Sequence, residues 1–158
     1  MIDFEERPNN LPWPPFIYGG ALLLGAVLEK FLPFEAIDRI LAGLPVWVGL
    51  AVLICGSLVD GAAVLALRRH GTTFMPNVGT QVLATAGIYG LSRNPIYLGN
   101  TIALLGVALV LRWSWLLLLV PVTMAAVSAL AIAREERHLE VRFGEAYRDY
   151  KVRVRRWI

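Results

Sequence analysis

Charge is scarce in this 158-residue chain: 17% of its residues are Asp, Glu, Lys or Arg, against about a quarter in soluble domains. Too few polar groups are available to clothe a water-soluble globule. Cysteine is scarcer still, with Cys55 alone, so no internal disulfide forms, and its place in an apolar run reads as packing. Histidine occurs twice. No second histidine or acid lies at ligand spacing from His70, and His138 is far off in the tail, so no metal motif is visible. No cleavable leader is expected either: the N-terminus is acidic at Asp3, Glu5 and Glu6, and no obvious small-residue cleavage site follows the first apolar run. The net charge of +3 resides mainly in the tail and in loops between apolar runs, which is membrane-topology charge and excludes a nucleic-acid partner.

What the chain has is hydrophobic residues, 57% of the total, with a mean hydropathy of +0.60. They fall into runs that predict one all-α integral-membrane domain with four spans, at about 16–33, 44–67, 96–111 and 115–133. Trp13 and the prolines around it suit an interfacial lead-in to the first span. Glu29 and Lys30, at that span's far end, can reach the headgroups. A short loop containing Glu35, Asp38 and Arg39 leads into the second span. Asp60 interrupts that span, and an ionisable residue at such depth faces protein or water: a pocket residue, or an acid bonded to a neighbouring helix for packing alone. Residues 68–95 form the longest loop, polar and without a period, as binding or lid segments often are. The third and fourth spans make a hairpin that turns at Arg112-Trp113-Ser114-Trp115, with the tryptophans at the interface.

Lys and Arg decide orientation. Arg7, Arg68, Arg69, Arg93 and eight residues of the tail lie on one face, against Lys30, Arg39 and Arg112 on the other. The bias places both termini, the 68–95 loop and a helical tail at 134–158 in the cytoplasm. The last helix continues beyond the membrane without a breaker until Gly144. Leu139, Phe143, Tyr147 and Tyr150 recur at helical steps and predict an apolar packing stripe.

Chemistry concentrates in residues 87–99, G-I-Y-G-L-S-R-N-P-I-Y-L-G. Asn94-Pro95 is a helix start, with asparagine available to cap and proline suited to the first turn. The helix end and Arg93 together suit a carboxylate or phosphate, with Tyr89 and Tyr97 flanking. An ordinary capped helix beside a membrane-edge arginine fits the same residues. Glu135 and Glu136 lie where the last helix leaves the bilayer, at a depth comparable to Arg93 and Asn94. They point about 100° apart, so one at most aims squarely into a given pocket. A solvated charge run is the alternative.

The ordered pair of motifs, G-I-Y-G-L-S-R-N-P-I-Y-L-G and, after a two-span hairpin, E-E-R-H-L-E-V-R-F-G-E-A-Y-R-D-Y-K-V-R-V-R-R-W-I, resembles the isoprenylcysteine carboxyl methyltransferase family and the wider group of integral-membrane phospholipid methyltransferases. The chain looks like a bacterial-type member. The resemblance covers roughly the final 80 residues. It implies methyl transfer from S-adenosylmethionine, in a cytoplasmic pocket open sideways to lipid, to a lipophilic or membrane-partitioned carboxyl, amine or thiol acceptor, with the protein in the bacterial cytoplasmic membrane. By the same resemblance Gln81, Val82, Leu83 and Ala84 line the cofactor and Tyr89 is a pocket tyrosine. Asn94, Pro95, Ile96 and Tyr97 match an Arg-His-Pro-x-Tyr motif, with Arg93 before them, and Glu135 matches the cofactor-contacting glutamate. Ala131 stands where eukaryotic members place an arginine for the substrate carboxylate, which leaves the acceptor open. An amine or thiol needs deprotonation, for which Asp60, Glu136 and Tyr97 are the candidates. The rival expectations are an NADPH-dependent membrane reductase and a non-catalytic membrane scaffold.

Overall fold

The computed structural model describes residues 13–69 and 82–158, and among them every regular element is helical. In chain order these are α1 (Trp13–Phe31), α2 (Glu35–Ala42), α3 (Val46–Arg69), a 3₁₀ turn (Gly87–Gly90), α4 (Pro95–Leu111), α5 (Ser114–Val127), a single π-helical stretch (Ser128–Ile132) and α6 (Ala133–Arg153). Among the described residues, two helices are long and apolar enough to cross a bilayer by themselves: α3, and the continuous 40-residue run Ser114–Arg153. The α1–α2 pair meets the same test across a 106° bend, and α4 is a shorter apolar helix. Large apolar side chains on the outer faces, such as Leu23, Ile54, Leu58 and Val122, stand exposed. In water that would be an aggregation liability, whereas in lipid it is the ordinary state of a helix surface.

The strongest packing joins α3 to α4, and glycine makes it possible. A Cβ on Gly49 would come within 2.7 Å of Val110 N, one on Gly56 within 2.4 Å of Ala103 N, one on Gly99 within 2.8 Å of Asp60 N, and one on Gly106 within 2.4 Å of Leu53 N. Partner numbers fall along α4 as they rise along α3, so the helices are antiparallel. The glycines sit seven apart on each helix, one every two turns, which keeps them on a single seam. A second core, Ala21, Leu104, Ala108 and Leu116, binds α1 and α5 to the other side of α4.

At the Arg112 end the structure departs from the sequence reading. Residues 35–42, expected as loop, form α2. Its eight residues are too few to show a period, but Leu41 is buried while Arg39 and Glu35 pair at 3.8 Å on the outer face. Glu29 does not reach for headgroups. Its Oε2 accepts from the backbone N–H of Trp115 at 3.3 Å, satisfying a free donor at the start of α5. The Ser114 hydroxyl donates to Asp38, and Trp115 Nε1 donates to the carbonyl of Leu32, so the α1–α2 bend is pinned to α5. The hairpin turn falls where expected, with Arg112 left-handed at φ 57°. Cys55, expected in packing, is exposed. Trp13, Pro14 and Pro15, expected as lead-in, are the first turn of α1.

At the opposite end α6 runs unbroken to Gly144, whose φ of 51° bends the helix in a conformation that glycine tolerates best. Beyond it the expected stripe closes a small core: Tyr147, Tyr150 and Val154 pack with Leu83, Leu139 and Phe143. The chain then leaves the helix at Val154, which is extended, and residues 154–157 run back across the start of α4.

Candidate functional site

The start of α4 is held by that returning segment. The Arg93 N–H donates to the Arg155 carbonyl at 3.0 Å. The Ser92 hydroxyl and Asn94 Nδ2 both donate to the Arg156 carbonyl, at 3.2 and 3.0 Å. Proline occupies the first helical position as expected, but Asn94 does not cap with its side chain. The amide is spent on the strap instead, and the Asn94 N–H is satisfied by Ser92 Oγ at 3.1 Å. The hydroxyl of Tyr150, whose burial pushes its pKa up to about 12, stays a neutral donor to the Tyr89 carbonyl at 2.6 Å.

The adjacent glutamates have different partners. Glu135 Oε2 accepts from the Tyr97 hydroxyl at 2.9 Å, tying the first turn of α6 to that of α4. Burial pushes the Glu135 carboxyl well above the ordinary carboxylate range; the Tyr97 bond opposes this and the charge of Glu136 adds to it. Glu136 is buried and takes a two-pronged bond from Arg156, Nε to Oε1 at 3.1 Å and Nη2 to Oε2 at 2.6 Å. Arg93 Nη1 lies 3.3 Å from the same Oε1. The Glu136 bond holds the Arg156 guanidinium above its usual value, so it is charged at any working pH.

Arg93 is therefore not a bare membrane-edge charge. Its side chain is 11% exposed, and its Nε and Nη1 make no hydrogen bond among the described residues. Buried guanidinium donors without acceptors are costly and rare, and they mark where an anion would be stabilised. The Tyr147 phenol, in hydrogen-bond contact with Arg93, is pushed up by burial and by Glu136, with Arg93 opposing.

Around this centre the remaining residues fall into two groups. Tyr97 is buried and its carbonyl gathers polar groups: Thr101 Oγ1 donates to it at 2.8 Å, and the Tyr18 hydroxyl lies 3.0 Å from it and 2.9 Å from Thr101 Oγ1. Tyr89, Ala84 and Ile96 pack with Ala63 and Leu67 of α3. Burial pushes the Tyr89 phenol far above its usual value, with Glu135, Tyr150 and Asp60 adding, so it is neutral. Leu83 packs on the tail core, and Val82 is exposed. Asp60 faces α4 beside Gly99, and its buried Oδ1 has no hydrogen-bond partner among the described residues. Gln81 and His70 lie outside the described residues. Among those described, no group of three or more metal-ligating side chains converges.

Sequence reasoning did not single out Arg156, Trp157, Tyr18 or the glycine seam. Trp157 packs on a core of Tyr97, Val127, Ala131 and Ile132 beside Trp13, Ile17 and Tyr18. Gly49 with Gly56, and Gly99 with Gly106, stood seven apart in the sequence and could have been found. Arg156 gave no such signal, because its bond to Glu136 spans 20 residues and a kink. The π stretch before Glu135 was equally silent. One wide turn there offsets the register of everything after it, as π turns near functional sites do.

Fold and site together define an all-helical membrane protein with a buried polar centre at one mouth, assembled from two motifs about 40 residues apart. The chain belongs to the phospholipid methyltransferase family, whose model matches residues 44–146. An uncharacterised protein of Haemophilus influenzae is 38% identical over 63 residues, which is 40% of this chain and 79% of that relative. No solved structure matches the chain.

Proposed function

We propose that the protein is an S-adenosylmethionine-dependent methyltransferase acting on a lipophilic or membrane-partitioned acceptor, with the reaction centre between the start of α4 and the first turn of α6. The observation that carries this reading is the pair of complementary groups at one mouth: Arg93, whose buried Nε and Nη1 make no hydrogen bond among the described residues, and Glu135, held by Tyr97. The cofactor's amino-acid end needs a cationic fork for its carboxylate and an anion for its ammonium, and this centre offers both. The groups fit. Arg93 and the helix start at Asn94, Pro95, Ile96 and Tyr97 would take the carboxylate end, Glu135 the ammonium or ribose hydroxyls, and Tyr89 with Val82, Leu83 and Ala84 would line the remainder. When bound, S-adenosylmethionine supplies an electrophilic methyl group on sulfur.

The chain's task is then to align the acceptor, exclude water and, for an amine or thiol, receive a proton. Glu136 is unsuited to that last role, since two arginines hold it. The Tyr97 hydroxyl is already donated to Glu135. Asp60 keeps an unpartnered oxygen and is the better candidate. The Lys and Arg bias orients this mouth to the cytoplasm, with both termini there, four helical crossings and the bacterial cytoplasmic membrane as the location. An NADPH reductase would need several free cations for the cofactor's phosphates, whereas at this mouth Arg156 is forked onto Glu136 and the unsatisfied guanidinium donors among the described residues are those of Arg93. Equilibrium binding to purified protein separates the two: saturable binding of radiolabelled S-adenosylmethionine is expected, and binding of NADPH in its place overturns the reading.

A further inference from the structure

The Arg156–Glu136–Arg93 triad has a charge count that neither motif alone suggests. Two guanidinium groups and one carboxylate leave the cluster with one net positive charge, in a place where Glu136 and Arg93 are largely screened from water, each at 11% exposure, and Arg156 is partly exposed, at 39%. Arg156 takes both Glu136 oxygens in a forked bond, whereas Arg93 approaches one of them with a single nitrogen. The stronger partner of Glu136 is thus the residue on the strap.

We propose that Arg156 is a positioning residue for the anion site: by occupying Glu136, it keeps the Arg93 guanidinium free for a ligand carboxylate. Without Arg156, Glu136 would be a buried carboxylate lacking its main partner, a costly state. Arg93 is the nearest cation, and it would turn its fork onto Glu136. The cluster would become neutral, and the donors now unpaired on Arg93 would be consumed internally. Arg156 needs no contact with the ligand to have this effect. The inference rests on the cofactor reading above.

The side chain can be tested apart from the strap it belongs to. The strap is fastened by main-chain carbonyls of Arg155 and Arg156, bonded to Arg93, Ser92 and Asn94, and these bonds do not involve the Arg156 side chain. Full-length protein in detergent is titrated calorimetrically with S-adenosylmethionine and with its decarboxylated form, which lacks the group that Arg93 would bind. Arg156→Met should weaken S-adenosylmethionine by about tenfold and leave the decarboxylated ligand within about twofold of the parent. Arg156→Lys, which keeps the charge but not the fork, should recover part of the loss. On a Glu136→Gln background, Arg156→Met should change affinity by less than about threefold, because there is no carboxylate left to occupy. The double variant in that last comparison lacks both partners of the forked bond, so it leaves no buried carboxylate without a cation and stands even where Arg156→Met alone does not fold.

Equal losses for the two ligands, or a tenfold loss on the Glu136→Gln background, would make Arg156 merely structural and overturn the inference. A parent that binds the decarboxylated ligand as tightly as S-adenosylmethionine, or an Arg93→Met variant that binds S-adenosylmethionine like the parent, overturns the cofactor placement instead, and the inference with it.

Discussion

Adding one methyl group at Gly99 should loosen the site more than any other single-carbon change on the seam. A Cβ there would lie 2.8 Å from Asp60 N, 2.8 Å from Gly56 O and 2.9 Å from Asp60 Oδ1. Two of those atoms are backbone, so no rotamer change relieves the contact and α3 must move off α4. Overpacking of this kind costs about 1–3 kcal/mol. Gly61, on α3 next to Asp60, has nothing within 4 Å of its Cβ position, so Gly61→Ala should be neutral or stabilising by up to about 1 kcal/mol. Gly106→Ala meets Leu53 N at 2.4 Å, about two helical turns farther from Tyr97, and should cost similar stability with less effect on ligand binding. Because Tyr97 stands two residues before Gly99, only Gly99→Ala should also shift the Tyr97–Glu135 bond and weaken cofactor affinity. Thermal unfolding in detergent and calorimetric titration on the three variants test this together. Gly99→Ala behaving like Gly61→Ala in both assays would refute the close seam.

Further outcomes follow from the same geometry. Glu135→Gln should weaken cofactor binding far more than Glu136→Gln, since the second leaves the cluster positive; equal small losses in titration would take both glutamates out of the cofactor site. Burial raises the Glu135 carboxyl above its ordinary 4.5, so its contribution to stability is fully present below that value and is lost as pH rises through the folded pKa. A cofactor ammonium selects the ionised form, so affinity should increase over that same window. Glu135→Gln should flatten both profiles in pH-dependent unfolding and titration. Tyr97→Phe should leave Glu135 with one partner fewer and cost about 1–3 kcal/mol, read by unfolding, and should raise the Glu135 titration further. A reporter fused to Ile158 should be active only in the cytoplasm; activity outside it would reverse the orientation proposed for the site.

Legibility in the sequence followed the range of each interaction. The apolar runs predicted α3 and the hairpin to within two residues, and the helical stripe of Leu139, Phe143, Tyr147 and Tyr150 named its own core, because helical period is a local property. The meeting of the α4 start with Glu135 was also legible, since both ends of the hairpin must come out on the same side. What escaped depended on distant partners. Asn94 was readable as a cap, yet the strap at Arg156 competes for its amide. Glu29 was readable as a headgroup-reaching acid, yet the start of α5 needs an acceptor. Arg93 and Glu136 were each legible as charges, but their pairing, and its completion by Arg156, is set only when the kink at Gly144 turns the tail back.

The central claim is that Arg93 and Glu135 hold the two charged ends of the cofactor's amino-acid group. Calorimetric titration of S-adenosylmethionine into the parent, Arg93→Met and Glu135→Gln, each checked for folding by thermal unfolding, tests it directly. Each variant removes one charge-assisted contact worth about 1.5–3 kcal/mol, so affinity should fall roughly ten- to a hundredfold in both. If both variants fold normally and bind S-adenosylmethionine as tightly as the parent, the site is elsewhere.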